Sequence, residues 1–370
     1  MTQAVAPEEV EVQLRDTSLA PIWEKVQAGQ RLSFEDGVRL FETPDFIGVG
    51  RMADWVKRRR YGDRVFFVTN VHVNPTNLCV LRCAFCDFAR KPGQEGAYEM
   101  TMDEVLGLLH EEISEVHIVG GHHPTWPFQH YEEMLRTIHH RYPRSQIKAF
   151  TAAEIDYFWR RWKVPPEEAL ARLKAAGLQS MPGGGAEVFS SRLYKLLRMN
   201  GKAGAQRWLE LHRLAHGMGV PSNATLLYGH VETYEERVRH LLMLRELQDE
   251  TGGFLCFIPL EYQVGDTHLV PRQASPMDDL KVVSAARLLL DNFPHIKAYW
   301  VMIGEATASL ALNFGADDLD GTIGHERIAH AAKAGSPLGL ARERMVRLIR
   351  DAGQVPVERN ALYQTLKVYQ

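Results

Sequence analysis

The chain has little cysteine, no long apolar run and no excess of positive charge. Each shortage removes a class of function. Four cysteines in 370 residues are too sparse for a disulfide framework. The longest apolar stretches, such as residues 254–260, fall far short of a bilayer span. With 43 lysines and arginines against 46 acids and a net charge of −3, nucleic acid is not an expected partner. The opening residues are acidic, with Glu8, Glu9 and Glu11, unlike a secretory or transit leader. Neither membrane nor nucleic acid is expected as a partner, and a cytoplasmic location is. What is there, 45% apolar and 24% charged residues, is the make-up of an ordinary soluble enzyme with a large core.

Three of the four cysteines fall together, in Cys79-Val80-Leu81-Arg82-Cys83-Ala84-Phe85-Cys86. The C-x3-C-x2-C spacing puts three thiolates on one loop, enough for three irons of a [4Fe–4S] cube. Structural zinc normally takes four protein ligands in paired C-x2-C units, and no second pair exists. Cys256, in Gly253-Phe254-Leu255-Cys256-Phe257-Ile258, reads as a core residue. The fourth iron is then left open to a small molecule. This pattern, with the aromatic Phe85 before the last cysteine, resembles the radical S-adenosylmethionine (SAM) enzymes. The resemblance implies that the open iron chelates SAM and that an electron from the cube splits it into methionine and a 5′-deoxyadenosyl radical.

Residues 1–64 read as a helical extension. Its basic run, Lys57 to Arg60, reads as a solvated helix face. From residue 65, short β-branched runs alternate with amphipathic helices. Strands are predicted at 65–73, 115–119, 147–151, 178–181, 222–228, 254–260 and 296–303, with a short eighth at 319–323. Helices are predicted at 102–112, 131–141, 166–176, 190–199, 203–217, 233–250, 276–292 and 338–352. Repeated βα units imply parallel strands with right-handed crossovers. The fold class is α/β. A radical SAM (βα)8 TIM-like barrel, complete or nearly complete, is expected over 65–325, with a helical C-terminal segment over 326–370 packed on it. Six such units would instead give the open barrel common in radical SAM proteins. In such barrels the chemistry sits at the strand C-termini.

Most of the unusual motifs fall at those ends. Gly120-Gly121 closes the second strand, where glycine lets a ligand approach the backbone; in radical SAM enzymes this segment binds the SAM amino group. His122 and His123 follow, and lining a substrate pocket is one reading for them. Glu154, after Lys148-Ala149-Phe150-Thr151-Ala152-Ala153, has two readings: a hydrogen bond to SAM or substrate, or a cap on the next helix. Gly183-Gly184-Gly185 makes a tight turn without the Lys-Ser/Thr of a P-loop, and Glu187 behind it suits ribose hydroxyls better than phosphate. Tyr228-Gly229-His230-Val231-Glu232 resembles in part the family's loop against the adenine of SAM, with Glu232 read either there or as a helix cap. Phe85, Gly120, Gly121, Glu154, Glu187, Tyr228 and Glu232 are therefore the expected SAM contacts, and Cys79, Cys83 and Cys86 the expected cluster ligands. Asp317, Asp318 and Asp320 near Gly321 read as a polar turn or a substrate loop.

The stretches Asn74–Cys79, Val119–Pro124, Lys148–Glu154, Met181–Glu187, Ser222–His230 and Phe314–Thr322 together resemble the aminodeoxyfutalosine synthase family of the futalosine route to menaquinone. The likeness runs from about residue 70 to Leu362. It implies that the deoxyadenosyl radical adds to the enol-ether double bond of 3-[(1-carboxyvinyl)oxy]benzoate, with SAM consumed as co-substrate. It also implies a reductant such as flavodoxin or ferredoxin. An aromatic dicarboxylate asks for donors, and Arg82, Arg192, Arg198, His122 and His123 are the candidates. Two alternatives stand beside this reading. One is a cyclic dehypoxanthine futalosine synthase or a deazaflavin-synthase-like enzyme. The other is an electron carrier that never meets SAM.

Overall fold

The structure is a computed structural model that describes residues 12–370, so the acidic opening of the predicted helical extension lies outside the described residues. Nine parallel strands form the barrel wall: β1 (Arg64–Val68), β2 (Asn70–Val73), β3 (Glu115–Ile118), β4 (Gln146–Ala149), β5 (Leu178–Ser180), β6 (Ser222–Tyr228), β7 (Phe254–Glu261), β8 (His295–Ile296) and β9 (Asp318–Gly321). β2 to β5 pair in order, β6 to β8 do the same, and β9 pairs with β1. Single bridges, Met181 to Ser222 and Lys297 to Asp318, join these groups. β1 and β2 are two halves of one strand broken at Thr69, so eight positions close the ring and the barrel is complete.

The break at Thr69 has a consequence at the bottom of the barrel. β3 begins at Glu115, opposite Asn70, and leaves the lower half of the first strand without a neighbour on that side. The C-terminal segment fills the gap. β10 (Val355–Arg359) runs parallel to β1, with Val68 opposite Arg359, and β11 (Thr365–Val368) turns back along β10. The expectation of a helical segment over 326–370 is corrected: helices at Ile328–Ala331 and Arg342–Asp351 are present, but an unpaired β1 edge demands strand partners.

Two other elements differ from expectation. The predicted strand 296–303 is a two-residue strand followed by a helix, Trp300–Ala311. Its apolar run satisfies either period, and the indole Nε1 of Trp300 donates to Gly321 O at 2.9 Å, which commits it to the helix. A helix at Ala152–Trp162 was not anticipated; Thr151 and Glu154 start it as a capping box. The helices Phe34–Glu42 and Phe46–Tyr61 lie on the barrel's Pro276–Leu289 helix. Lys57 is not on a solvated face. It is fully buried, and its Nζ donates to Gln354 Oε1 at 2.5 Å, while burial lowers its pKa to about 8.

The lower barrel interior is ionic, where such barrels commonly carry layers of branched aliphatics. Lys148 meets Glu115 at 2.6 Å, Arg359 meets Asp318 at 2.6 Å and Lys297 meets Asp320 at 3.1 Å. Three cations against three anions leave this plug neutral, the condition for burying charge at tolerable cost.

Candidate active site

The cysteine loop leaves β2 and crosses the C-terminal mouth of the barrel, held by backbone bonds on every side. Gly121 N donates to Thr76 O at 2.8 Å, Val80 N to His122 O at 3.0 Å, Cys79 N to Arg90 O at 3.0 Å and Ala84 N to Leu197 O at 2.8 Å. Lys91 Nζ donates to the carbonyls of Cys79 and Leu81 at 2.6 and 2.7 Å. The glycine pair at the end of β3 makes this crossing fit. A Cβ on Gly121 would stand 2.3 Å from Leu78 O, and one on Gly120 3.1 Å from Thr76 O. Gly120 also faces the cavity. Gly121 does not line it, so its role is to let the loop pass.

Beneath the loop lies a cavity of about 300 Å³. Phe85, Cys86, Gly120, Glu154, Gly183–Gly185, Glu187 and Lys202 line it on the cysteine side. His72, His117, Tyr299, Asp320 and Glu326 line it toward the ionic plug, and Leu227, Ile258, Leu260 and Met302 supply apolar wall. Its size and mixed lining suit a small organic ligand.

The charges on the cysteine side are matched. Lys202 pairs with Glu187, and its Nζ lies 5.1 Å from the centroid of the Phe85 ring. Burial works against the Lys202 charge, yet Glu187 and the thiols of Cys83 and Cys86 hold its pKa above the ordinary lysine value. Glu154 caps the helix and also faces the cavity. Its carboxylate accepts Thr151 N and Oγ1 at 2.7 and 2.9 Å, capping the helix, and it lines the cavity, where burial raises its pKa to about 7. Glu261, on the far wall, is raised to about 8 by burial and by Asp279. His122 lines the cavity, stacks on Tyr157 at 4.9 Å and is lowered to about 3 by burial.

The structure places the remaining expected residues elsewhere. Tyr228 is fully buried and points away from the cavity, its hydroxyl donating to Asp279 at 2.8 Å. Glu232 is consumed by the loop after β6, accepting Gly229 N at 2.7 Å, His230 N at 2.9 Å and Arg237 Nη2 at 2.5 Å. It is not the helix cap either, since Thr233 and Glu236 form that box. Arg192 is exposed and paired with Glu236 at 2.6 Å, and Arg82 and Arg198 are exposed. His123 stacks on Trp126 at 4.2 Å and meets Glu99 at 2.8 Å, behind the cavity wall. None of these six lines the cavity. Asp320 does, while Asp317 and Asp318 are committed to Arg287 and Arg359.

The sequence reading missed Lys202, His72, His117, Glu261 and Tyr299. The one local signal for Lys202 is its place between Gly201 and Gly204, in an irregular turn. His72 and His117 are polar residues inside β-branched strands, where an inward face is the natural reason for them.

Comparison with known proteins fits this geometry. The Radical SAM superfamily profile matches residues 73–244, and the CofH/MqnC C-terminal region matches residues 251–370. The chain is 45% identical to aminodeoxyfutalosine synthase of Thermus thermophilus, over 96% of this chain and 98% of that one. The chain belongs to the radical SAM superfamily.

Aminodeoxyfutalosine synthase of Streptomyces coelicolor is 43% identical over 94% of both chains. Cyclic dehypoxanthine futalosine synthase of the same organism is 36% identical over 95% of this chain and 90% of that one. The hydrogenase maturase HydG of Carboxydothermus hydrogenoformans superposes with a TM-score of 0.73 at 16% identity, over 94% of this chain and 80% of that one, which supports the fold. Radical SAM proteins use a [4Fe–4S] cluster and SAM, and the residues present fit both. Cys79, Cys83 and Cys86 carry free thiols. Among the described residues no three His, Cys, Asp or Glu side chains converge on one ion, and a cube does not ask that, since each thiolate takes a different iron. Burial raises the Cys83 thiol to about 11, and iron binding would displace that proton. No helix among the described residues is long and apolar enough to cross a membrane.

Proposed function

We propose that the chain joins the 5′-deoxyadenosyl group of SAM to the enol-ether double bond of 3-[(1-carboxyvinyl)oxy]benzoate and that rearrangement with loss of the vinyl carboxylate carbon as bicarbonate or CO2 gives 6-amino-6-deoxyfutalosine for menaquinone biosynthesis, as in aminodeoxyfutalosine synthase. The observation that carries this reading is the 43–45% identity to two such synthases over nearly the whole of each chain. The cavity beneath the cysteine loop, with polar groups at both ends and apolar walls between, supports it.

When bound, the cluster supplies the electron that splits SAM into methionine and a carbon radical. The rest falls to side chains of this chain. Cys79, Cys83 and Cys86 would hold the cluster. Phe85, Gly120, Glu154, Glu187 and Lys202 would take SAM on the cysteine side, with Lys202 as the charged donor and Glu187 as the hydroxyl acceptor. Leu227, Ile258, Leu260 and Met302 exclude water from the reacting carbon. SAM is consumed, since its adenosyl group leaves in the product. The electron would come from a flavodoxin or ferredoxin in the cytoplasm.

Two anaerobic incubations with SAM and dithionite test the proposal. With the enol-ether benzoate, adenosylated product forms. With dehypoxanthine futalosine, nothing is consumed. Turnover in the second alone would reassign the chain to the cyclase reaction.

A further inference from the structure

The deep end of the cavity holds donors that the fold leaves unused. His72 on β2 and His117 on β3 are register partners, with ring centroids 4.4 Å apart, and both line the cavity. His72 is 6% exposed. Among the described residues, its Nε2 and the Nδ1 of His117 have no hydrogen-bond partner. Buried polar atoms are normally paired, so two unmatched imidazoles at a cavity wall call for a partner that the described residues do not supply. Tyr299 lies beside them, its ring near-parallel to His72 at 6.5 Å.

The acids near this pair are already occupied. Asp320 meets Lys297 at 3.1 Å. Glu326 accepts Ile328 N at 2.8 Å, Ala329 N at 3.0 Å and His330 at 2.9 Å. Glu115 holds Lys148. Each of these acids is thus engaged, Asp320 and Glu115 by a lysine and Glu326 by backbone N–H groups and His330, although Asp320 Oδ1 and Glu115 Oε2 accept no hydrogen bond among the described residues. Asp320 also adopts φ 62° within β9, a left-handed conformation that costs energy for a non-glycine residue and concentrates at ligand sites. Burial holds both imidazoles below their ordinary pKa, so each offers one N–H as a neutral ring.

Resting on the functional reading above, the substrate carries two carboxylates. Among the described residues Lys202 is the one lysine or arginine lining the cavity, and it stands on the cysteine side. The vinyl carbon must face that side, where the adenosyl radical arises, so the benzoate ring points toward the floor. We propose that His72 and His117 bind the ring carboxylate as paired hydrogen-bond donors and so select for a benzoate end.

The test is calorimetry on the anaerobic holoenzyme with SAM and no reductant, using the enol-ether benzoate and its ring-carboxamide analogue. The wild type is expected to prefer the carboxylate by about ten- to a hundredfold, the scale of charge-assisted hydrogen bonds. In His72→Phe and His117→Phe the preference should fall to about threefold or less, while His72→Gln and His117→Gln, which keep an N–H, retain part of it. Because each variant is compared with itself, general damage cancels in the ratio. A full preference in the Phe variants, or equal loss of both ligands, would overturn the inference. A wild type that adenosylates the enol-ether benzoate but shows no carboxylate preference overturns the inference alone. A wild type that does not react with it overturns the functional reading and this subsite together.

Discussion

Lys202 sets its ammonium 5.1 Å from the centroid of the Phe85 ring, inside the cysteine loop, and pairs with Glu187 on the opposite turn. One buried cation thus ties the aromatic residue before the last cysteine to the only acid on the triple-glycine turn. Glu187 itself sits at φ 46°, strained backbone that points its carboxylate inward. On the proposed function, this pair would take the amino-acid and ribose ends of SAM.

Lys202→Met should therefore weaken SAM binding. Losing one charged hydrogen bond costs about 1.5–3 kcal/mol, roughly ten- to a hundredfold in affinity. Equilibrium dialysis on the reconstituted protein reads it, with iron content as the control for an intact cluster. Unchanged affinity would remove Lys202 from the SAM site.

Each of Cys79→Ala, Cys83→Ala and Cys86→Ala should abolish the visible absorption of the cluster, and Cys256→Ser should keep it. Cys256 is buried between β6 and β8 and lies beside Tyr363 in the lower barrel, away from the loop. Iron analysis after anaerobic reconstitution decides this. Retention of iron in Cys83→Ala with loss in Cys256→Ser would reverse the ligand set.

The local signals were legible and the relational ones were not. The cysteine triple carries its meaning in its own spacing, and the βα rhythm gave the barrel, whereas the Gly120-Gly121 pair reads as a SAM contact and only Gly120 faces the cavity. Arg192 looked like a substrate anchor because its partner, Glu236, is 44 residues away and invisible until the strands are ordered. His72 and His117 become neighbours only through the β2–β3 register. β10 was hidden for a similar reason. Val355-Pro356-Val357-Glu358-Arg359 is short and holds a proline, and only the bare lower edge of β1 makes it a strand. Trp300 shows the limit of periodicity, since its apolar run suits strand or helix until the indole finds Gly321.

Arg359 gives that C-terminal strand an energetic role. It lies in the barrel interior, bonded to Asp318 at 2.6 Å. Arg359→Leu leaves a buried carboxylate uncompensated, which should destabilise the chain by about 3–5 kcal/mol. The shift in urea midpoint at constant slope measures it. A loss below about 1 kcal/mol, the range of surface ion pairs, would mean that the interior pairing contributes little.

The raised carboxyls make stability fall with pH. Glu261 moves from 4.5 to about 8 and Asp279 from 3.8 to about 7, both chiefly through burial. A folded acid with a raised pKa holds its proton longer than the unfolded chain, so its contribution is complete below the unfolded value and is lost as pH rises through the folded value. The loss should run from about pH 4.5 to past pH 8, at up to about 1.4 kcal/mol per pH unit for each fully titrating group. Melting temperatures at pH 6 and 8.5 should drop less in Glu261→Gln than in the wild type. Parallel drops would show that Glu261 does not titrate in this window.

Adenosyl transfer to an enol-ether benzoate leaves its mark on the fate of the SAM ribose. SAM isotopically labelled in its ribose is incubated anaerobically with the holoenzyme, dithionite and 3-[(1-carboxyvinyl)oxy]benzoate, and the products are resolved by mass spectrometry. The label should be covalently retained in 6-amino-6-deoxyfutalosine, with methionine formed in step with it. Label recovered only as free 5′-deoxyadenosine, with the benzoate untouched, would contradict it.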